Sequence, residues 1–282
     1  RGPQFKTPTI TEPQARMVEQ MRAKMMDAQS RPSDPNAPAP SAGGDPGGYN
    51  SFWIDPGTRM GRIRGEVRTS WLVDPADGKL PYRPEGRKLY QDTLQKVRTT
   101  FDGPEARPLG ERCLLGFGST AGPPMMNVLY NNHYQFQQAK DHVVIVVEMN
   151  HDARIIRLAD KTRPPAHMPT WMGDSIGWWE GETLVIETTN IVSGDSATHD
   201  VTRRAASPLN MATQHVPAFN TIPMSTQAMT VERLTMTGPD SITYDLTYSD
   251  PEVFTAPWTA RLDWTLPAVY IHNRVRGLYP WP

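Results

Sequence analysis

Sulfur chemistry, a membrane-spanning run and a block of positive charge are what this 282-residue chain has least of. It holds one cysteine, Cys113, so no internal disulfide can form and the core must hold itself together. Arg112 beside that thiol would favour a thiolate, but Leu114 and Leu115 follow it, and a buried structural cysteine is the plainer reading. The longest apolar run, Val143 to Val147, is of strand length, far short of the ~18 residues that cross a bilayer. Net charge is −1, from 29 basic and 30 acidic side chains without a basic cluster, which argues against nucleic acid as the partner. No Gly-rich phosphate loop, dinucleotide fingerprint or haem-attachment motif occurs, so no cofactor is expected. No metal is expected either. Glu148 and His151 are spaced as on a helix but follow a strand-like run, and His133, His142, His199, His215 and His272 are scattered.

What is abundant is chain punctuation. The 28 prolines and 21 glycines point to a loop-rich β protein. Thr11-Glu12-Pro13-Gln14 is a capping box that opens one short helix, with Met17, Val18, Met21 and Met25 forming a stripe expected to pack on the chain's own barrel. Residues 32–48 read as a proline- and glycine-rich tether. Two regions follow: an N-terminal helix with its tether over 1–48, and a β-barrel domain over 49–282 that includes a helix near 84–98 carrying Leu89, Tyr90, Leu94 and Val97 on one face. Strands are expected at 50–53, 67–73, 134–138, 143–149, 154–158, 176–179, 183–190, 229–236, 242–249 and 259–266, the fourth of them covered on both faces. Short strands on tight turns, all antiparallel, predict a mainly β fold closed as a barrel.

The chemistry-bearing residues concentrate between His142 and Asn190. Glu148 ends the most apolar strand, where a carboxylate is costly unless paired, and Arg154 just across the turn is its expected partner. With His151 they form a candidate proton-transfer and anion-holding cluster; a salt bridge plus a turn is the structural alternative. His167, held between Pro164-Pro165 and Pro169, is the fourth catalytic candidate. Trp171, Trp178, Trp179, Tyr134 and Ile176 are the candidate ligand-binding residues, on the argument that a small barrel with eight tryptophans points several inward. Ser175 matches a nucleophile elbow in letters only, because a hairpin surrounds it, and Asp174 is expected to accept hydrogen bonds from Trp171, Trp178 or backbone groups.

Several blocks recur in a fixed order: Tyr49-Asn50-x-Phe52-Trp53, Arg68-Thr69-Ser70, Asp74-Pro75-x-Asp77-Gly78-x-Leu80-Pro81, Glu111-Arg112-Cys113-Leu114, Tyr130-Asn131-Asn132, His151-Asp152-Ala153-Arg154 and Gly173 to Asn190. Together they resemble a large family of uncharacterised, usually exported bacterial proteins, over about residues 49–265. The family carries no reaction to transfer. Ile176 and Trp178 stand where its members commonly have arginines, and residues 271–277 replace its Cys-His-Glu-Gly-Asn-like ending, which implies a less charged pocket here. The Trp-Glu-Gly-x-Thr-Leu-Val hairpin is similar, more loosely, to calycin or lipocalin-like barrels. The resemblance implies a periplasmic or secreted protein with its signal peptide removed; the start at Arg1 fits that or a cloning boundary.

Three functions follow as expectations. One is a cofactor-independent lyase, isomerase or hydratase acting on a small hydrophobic or aromatic molecule through Glu148, His151, Arg154 and His167. The second is a non-catalytic barrel that binds such a molecule. The third is an interaction subunit, homo-oligomeric or part of a larger assembly, joined through residues 1–48.

Overall fold

The computed structural model describes residues 7–29, 36, 38, 59–99, 101–104, 114, 123–125, 133–148, 151–192 and 225–265. The expected strand at 50–53, most of the tether, Cys113 and the 271–277 stretch lie outside them. So do the side chains of Met25, Tyr90, Leu94 and Val97.

The N-terminal capping box forms as its spacing dictates. The Thr11 backbone N–H donates to Gln14 Oε1 at 2.9 Å, and helix α1 runs Glu12–Gln29. Its docking differs from expectation. Strands β1 (Thr9–Ile10), β2 (Arg62–Ile63) and β3 (Glu66–Arg68) make a small antiparallel sheet in the order β1-β3-β2. Ala15, Met60 and Val67 form its buried core, with Ile10 and Val18 packed against them. Met17 and Met21 stand exposed, so of the described members of the expected stripe only Val18 turns inward, beside Ala15. Glu12 and Glu19 both reach Arg62, and Glu19 also caps the Met60 N–H.

The large sheet has nine strands: β4 (Leu72–Asp74), β5 (Tyr134–Gln138), β6 (His142–Val147), β7 (Ala153–Arg157), β8 (Asp174–Glu180), β9 (Thr183–Thr189), β10 (Met229–Gly238), β11 (Ser241–Ser249) and β12 (Trp258–Thr265). Their order is β4-β12-β11-β10-β9-β8-β7-β6-β5. The protein is thus mainly β, with a large sheet rich in antiparallel pairs. Two expectations are corrected. The step from β7 to β8 is parallel, because residues 158–173 carry the chain back across the sheet. And among the described residues nothing pairs with the free edge of β5, so the sheet does not close as a barrel.

It is nonetheless rolled. Seven strand steps separate β5 from β12, about 34 Å of arc at roughly 4.8 Å per step. Yet the rings of Tyr134 on β5 and Trp264 on β12 stack with centroids 5.3 Å apart. Only strong curvature brings the two together, and it gives the sheet an inner face.

Alternation sets that face. Thr230, Glu232 and Leu234 of β10, Tyr244, Leu246 and Tyr248 of β11, and Trp258, Ala260 and Leu262 of β12 are buried in register with one another. Between them stand Arg233, Asp245 and Arg261 on the outer face, where Arg261 grips Asp245 through two hydrogen bonds. β6 follows the same rule: Val143, Ile145 and Val147 are buried and their neighbours half-buried, so it is not covered on both faces as its composition suggests. Residues 67–73 break into β3 and β4 rather than running as one strand. Helix α2 (Pro84–Thr99) seals one end, where the Arg83 backbone N–H donates to the Val253 carbonyl at 2.9 Å.

Buried Asp250 organises that end. Its carboxylate accepts from Ser225 N and Oγ, both at 2.7 Å, and from Glu252 N at 3.2 Å. Burial still pushes its carboxyl above the usual aspartate value of 3.8. The folded protein therefore holds this proton more tightly than the unfolded chain. That contribution to stability is complete below pH 3.8 and is lost as pH rises through the raised folded value. Urea unfolding across this window should show the wild type losing stability with pH relative to Asp250→Asn; a pH-independent difference would refute the assignment.

Candidate functional site

The polar groups of the inner face converge on Glu232. Alternation in β10 carries this carboxylate inward, where it is fully buried. Arg154, carried inward by β7 opposite Ile145, meets it through two hydrogen bonds: NH1 to Oε1 at 3.0 Å and NH2 to Oε2 at 2.5 Å. The Tyr244 hydroxyl donates to Glu232 Oε1 at 2.6 Å and accepts from the Met125 backbone N–H at 2.9 Å. Arg154 NH2 also donates to Thr188 Oγ1 at 3.3 Å, and Thr188 shares a 2.8 Å hydrogen bond with Ser175. A connected polar network thus crosses five strands inside an apolar sheet.

Burial and charge raise the pKa of three groups on this face. Burial opposes the charge on Arg154, but the Glu232 carboxylate overrides that and raises the guanidinium above its ordinary range. Burial also pushes the Tyr244 hydroxyl well above the usual phenol value, and the adjacent Glu232 pushes it further. The Tyr134 hydroxyl is raised chiefly by burial as well. All three keep their protons at neutral pH.

Beside it lies an aromatic stack. Trp264 is sandwiched between Tyr134 at 5.3 Å and Tyr244 at 4.9 Å, with interplanar angles of 14° and 19°. Tyr134 and Trp264 are only part-buried, so this stack is where the inner face meets solvent. Three further polar atoms of the face are buried without a hydrogen-bond partner among the described residues: Arg154 Nε, Thr230 Oγ1 and Trp258 Nε1.

No family model, no curated protein and no solved structure matches the chain. Its site is read from its own geometry.

The four catalytic candidates do not meet. Glu148 is exposed and pairs with His133 Nδ1 at 2.5 Å, not with Arg154 as its position suggests. His151 is exposed at the turn with φ of 54°, supplying the left-handed residue that joins β6 to β7. Arg154 faces inward to Glu232. His167 is exposed in a loop whose turn is pinned by Asn190 Nδ2 donating to the Met168 carbonyl at 3.0 Å and to that of Pro165 at 3.3 Å.

Of the ligand candidates, Tyr134 and Trp179 lie on the inner face, Trp179 as the register partner of inward Leu184. Ile176 is buried away from it, in phase with outward Trp178. Trp178 donates to Glu180 Oε1 at 2.8 Å and lies under the Lys161 ammonium at 5.2 Å. Trp179 is 45% exposed near the hairpin tip, and Trp171 is half-buried just before β8. Asp174 is held by Arg157 and Arg163, not by a tryptophan: Arg157 NH2 donates to both its oxygens at 2.7 and 2.9 Å, and Arg163 continues to Glu187. This alternating chain of charges fastens the 158–173 crossover to the sheet. Sequence reasoning missed Glu232, Tyr244, Trp264 and Thr188.

Proposed function

We propose that this protein binds a small, flat, largely apolar molecule against the inner face of its rolled sheet, at the stack of Tyr134, Trp264 and Tyr244. The observation that carries this reading is the placement of two part-open aromatic rings over a buried ion pair. Aromatic rings at the mouth of a concave, mostly apolar surface with a few fixed polar groups are the usual composition of a small-molecule site. The ion pair supports it from the energetic side. A buried pair is weak evidence for stability, since two well-packed apolar side chains would serve as well, so its presence calls for another use. The curvature that stacks β5 on β12 also favours the calycin-like, barrel-type reading over a flat sheet.

Catalysis by the four sequence candidates is the weaker reading, because Glu148, His151 and His167 are exposed while Arg154 is committed to Glu232.

The test is quenching of tryptophan fluorescence by a naphthalene probe. Saturable quenching is expected, abolished by Trp264→Ala and weakened about tenfold or more by Tyr134→Ala, from loss of ring contact. Trp178→Ala, on the outer face beneath Lys161, should leave the affinity unchanged. Quenching that is linear, or that survives Trp264→Ala, would reject the site.

A further inference from the structure

The inner face is sealed along most of its length and open at one end. Tyr244, Leu246 and Tyr248 of β11 are wholly buried, and Leu234 of β10 nearly so. Two residues further along the same alternation stand Met236, Ile242 and Trp264, each the direct register partner of the next. Met236 is 51% exposed, while Ile242 and Trp264 are part-buried. Trp179 on β8 stands in the row of Leu184 and Leu234, next to that of Met236, and is 45% exposed. Phe136 shares the face of Tyr134 on β5 and is 38% exposed. Isolated apolar side chains on a surface need no explanation, but a row on adjacent strands does. Trp264 belongs both to this row and to the ring stack, so the apolar ledge is continuous with the proposed binding surface.

Length and charge narrow what can lie there. From Trp264 to Met236 the ledge crosses two strand steps, about 10 Å at roughly 4.8 Å per step, with no polar side chain between them in the row. Beyond Trp179 and Met236 the β8–β9 and β10–β11 hairpins turn, and their tips carry Glu180, Glu182 and Asp240. Arg233, the one basic residue in either hairpin, is engaged by Glu180. Glu182 and Asp240 have no ion-pair partner among the described residues. An anionic end would meet two uncompensated carboxylates there, and a cationic end would be attracted by them. We infer that the ligand is a flat ring carrying an unbranched alkyl chain that ends in an ammonium group. The ring lies on the Tyr134–Trp264–Tyr244 stack, the chain runs over Ile242 and Met236, and the ammonium reaches the hairpin tips. This rests on the binding reading above and names the ligand class for the same site.

Four probes separate the two claims: naphthalene, hexylnaphthalene, and the same hexyl chain ending in an ammonium or in a carboxylate. Titration of the full chain should rank hexylnaphthalene about tenfold or more above naphthalene, from methylenes laid on the ledge. At low salt the ammonium probe should bind about tenfold tighter than the carboxylate, a gap that closes as salt screens it. Met236→Ser, at an exposed position, should cut the gain from the chain severalfold and leave naphthalene binding unchanged. Glu182→Gln with Asp240→Asn should erase the ammonium preference and leave hexylnaphthalene binding unchanged. A hexyl chain that adds nothing, or a gain that survives Met236→Ser, would overturn the ledge and leave the ring site standing. Best binding of the carboxylate, or an ammonium preference that survives the double variant, would overturn the cationic end. Sedimentation gives the remaining outcome: a multimer that Met236→Ser splits into single chains would mean that a second copy occupies the ledge, which overturns the inference. If no probe binds, both claims fall.

Discussion

Replacing Glu232 by alanine is expected to lower the unfolding free energy by about 3–5 kcal/mol, as is typical when one partner of a buried ion pair is removed. Whole domains are stable by only about 5–15 kcal/mol, so the variant should be largely unfolded or melt far below the wild type. The physical reason is what remains. Arg154 would keep a guanidinium inside the sheet with Nε already unpartnered and both terminal nitrogens stripped of their carboxylate. Tyr244 would lose its acceptor as well. The penalty belongs to the uncompensated charge, not to the pair, and a second variant shows this. Arg154→Met combined with Glu232→Leu should recover most of the loss, because apolar packing of similar volume replaces both ions. Urea unfolding of the two single variants and the double closes the cycle. A Glu232→Ala protein as stable as the wild type would mean that the pair is open to water. A double variant no better than either single would mean that the pair itself holds the fold.

Gly86→Ala is expected to destabilise by about 3 kcal/mol, at the upper end of ordinary overpacking. A Cβ at this position would lie 2.2 Å from the Val253 carbonyl oxygen and 2.8 Å from Val253 Cα. These are backbone atoms, so no side-chain rotation relieves the clash. The first turn of α2 would have to lift from the β11–β12 connection, taking the Arg83–Val253 hydrogen bond with it. Gly181→Ala is the matched control. Gly181 has φ of 59° and nothing within 4 Å of an added Cβ, so only left-handed strain is imposed, about 1 kcal/mol. Thermal melts of both should separate widely. Equal losses would show that conformational strain, not the contact with Val253, sets the cost at Gly86.

The elements were readable where local rules decide them. The capping box at Thr11 and Gln14, strand Tyr134–Gln138 and the hairpin over Asp174–Thr189 follow from cap chemistry, alternation and a Gly turn, all written in neighbouring residues. The site was not, because its members come from far apart. Arg154 and Glu232 are 78 residues apart, and nothing near Arg154 announces its partner, whereas Glu148 lies close by and draws the obvious pairing. The strand Met229–Gly238 offered a faint signal: Glu232 alternates in phase with Leu234. But Met229 and Val231 make the opposite face equally apolar, so the inward side was undecidable from the pattern. The parallel β7–β8 step was hidden for a similar reason. A 16-residue crossover looks like any long loop until its end is seen to return to the same side of the sheet.

That parallel step also divides the molecule mechanically. Only Ile156–Ser175 and Arg157–Ile176 register across it, so the β5–β7 block is joined to the β8–β12 block along a short seam. Arg154 reaches from the first block to Glu232 in the second, and Tyr134 reaches from the first to Trp264 in the second. The charge pair and the ring stack therefore act as two staples over the weakest internal joint of the sheet. Partial opening would begin by peeling β5–β7 away as one cooperative unit, and a molecule held against Tyr134 and Trp264 would act as a third staple, slowing amide exchange in strands it never touches.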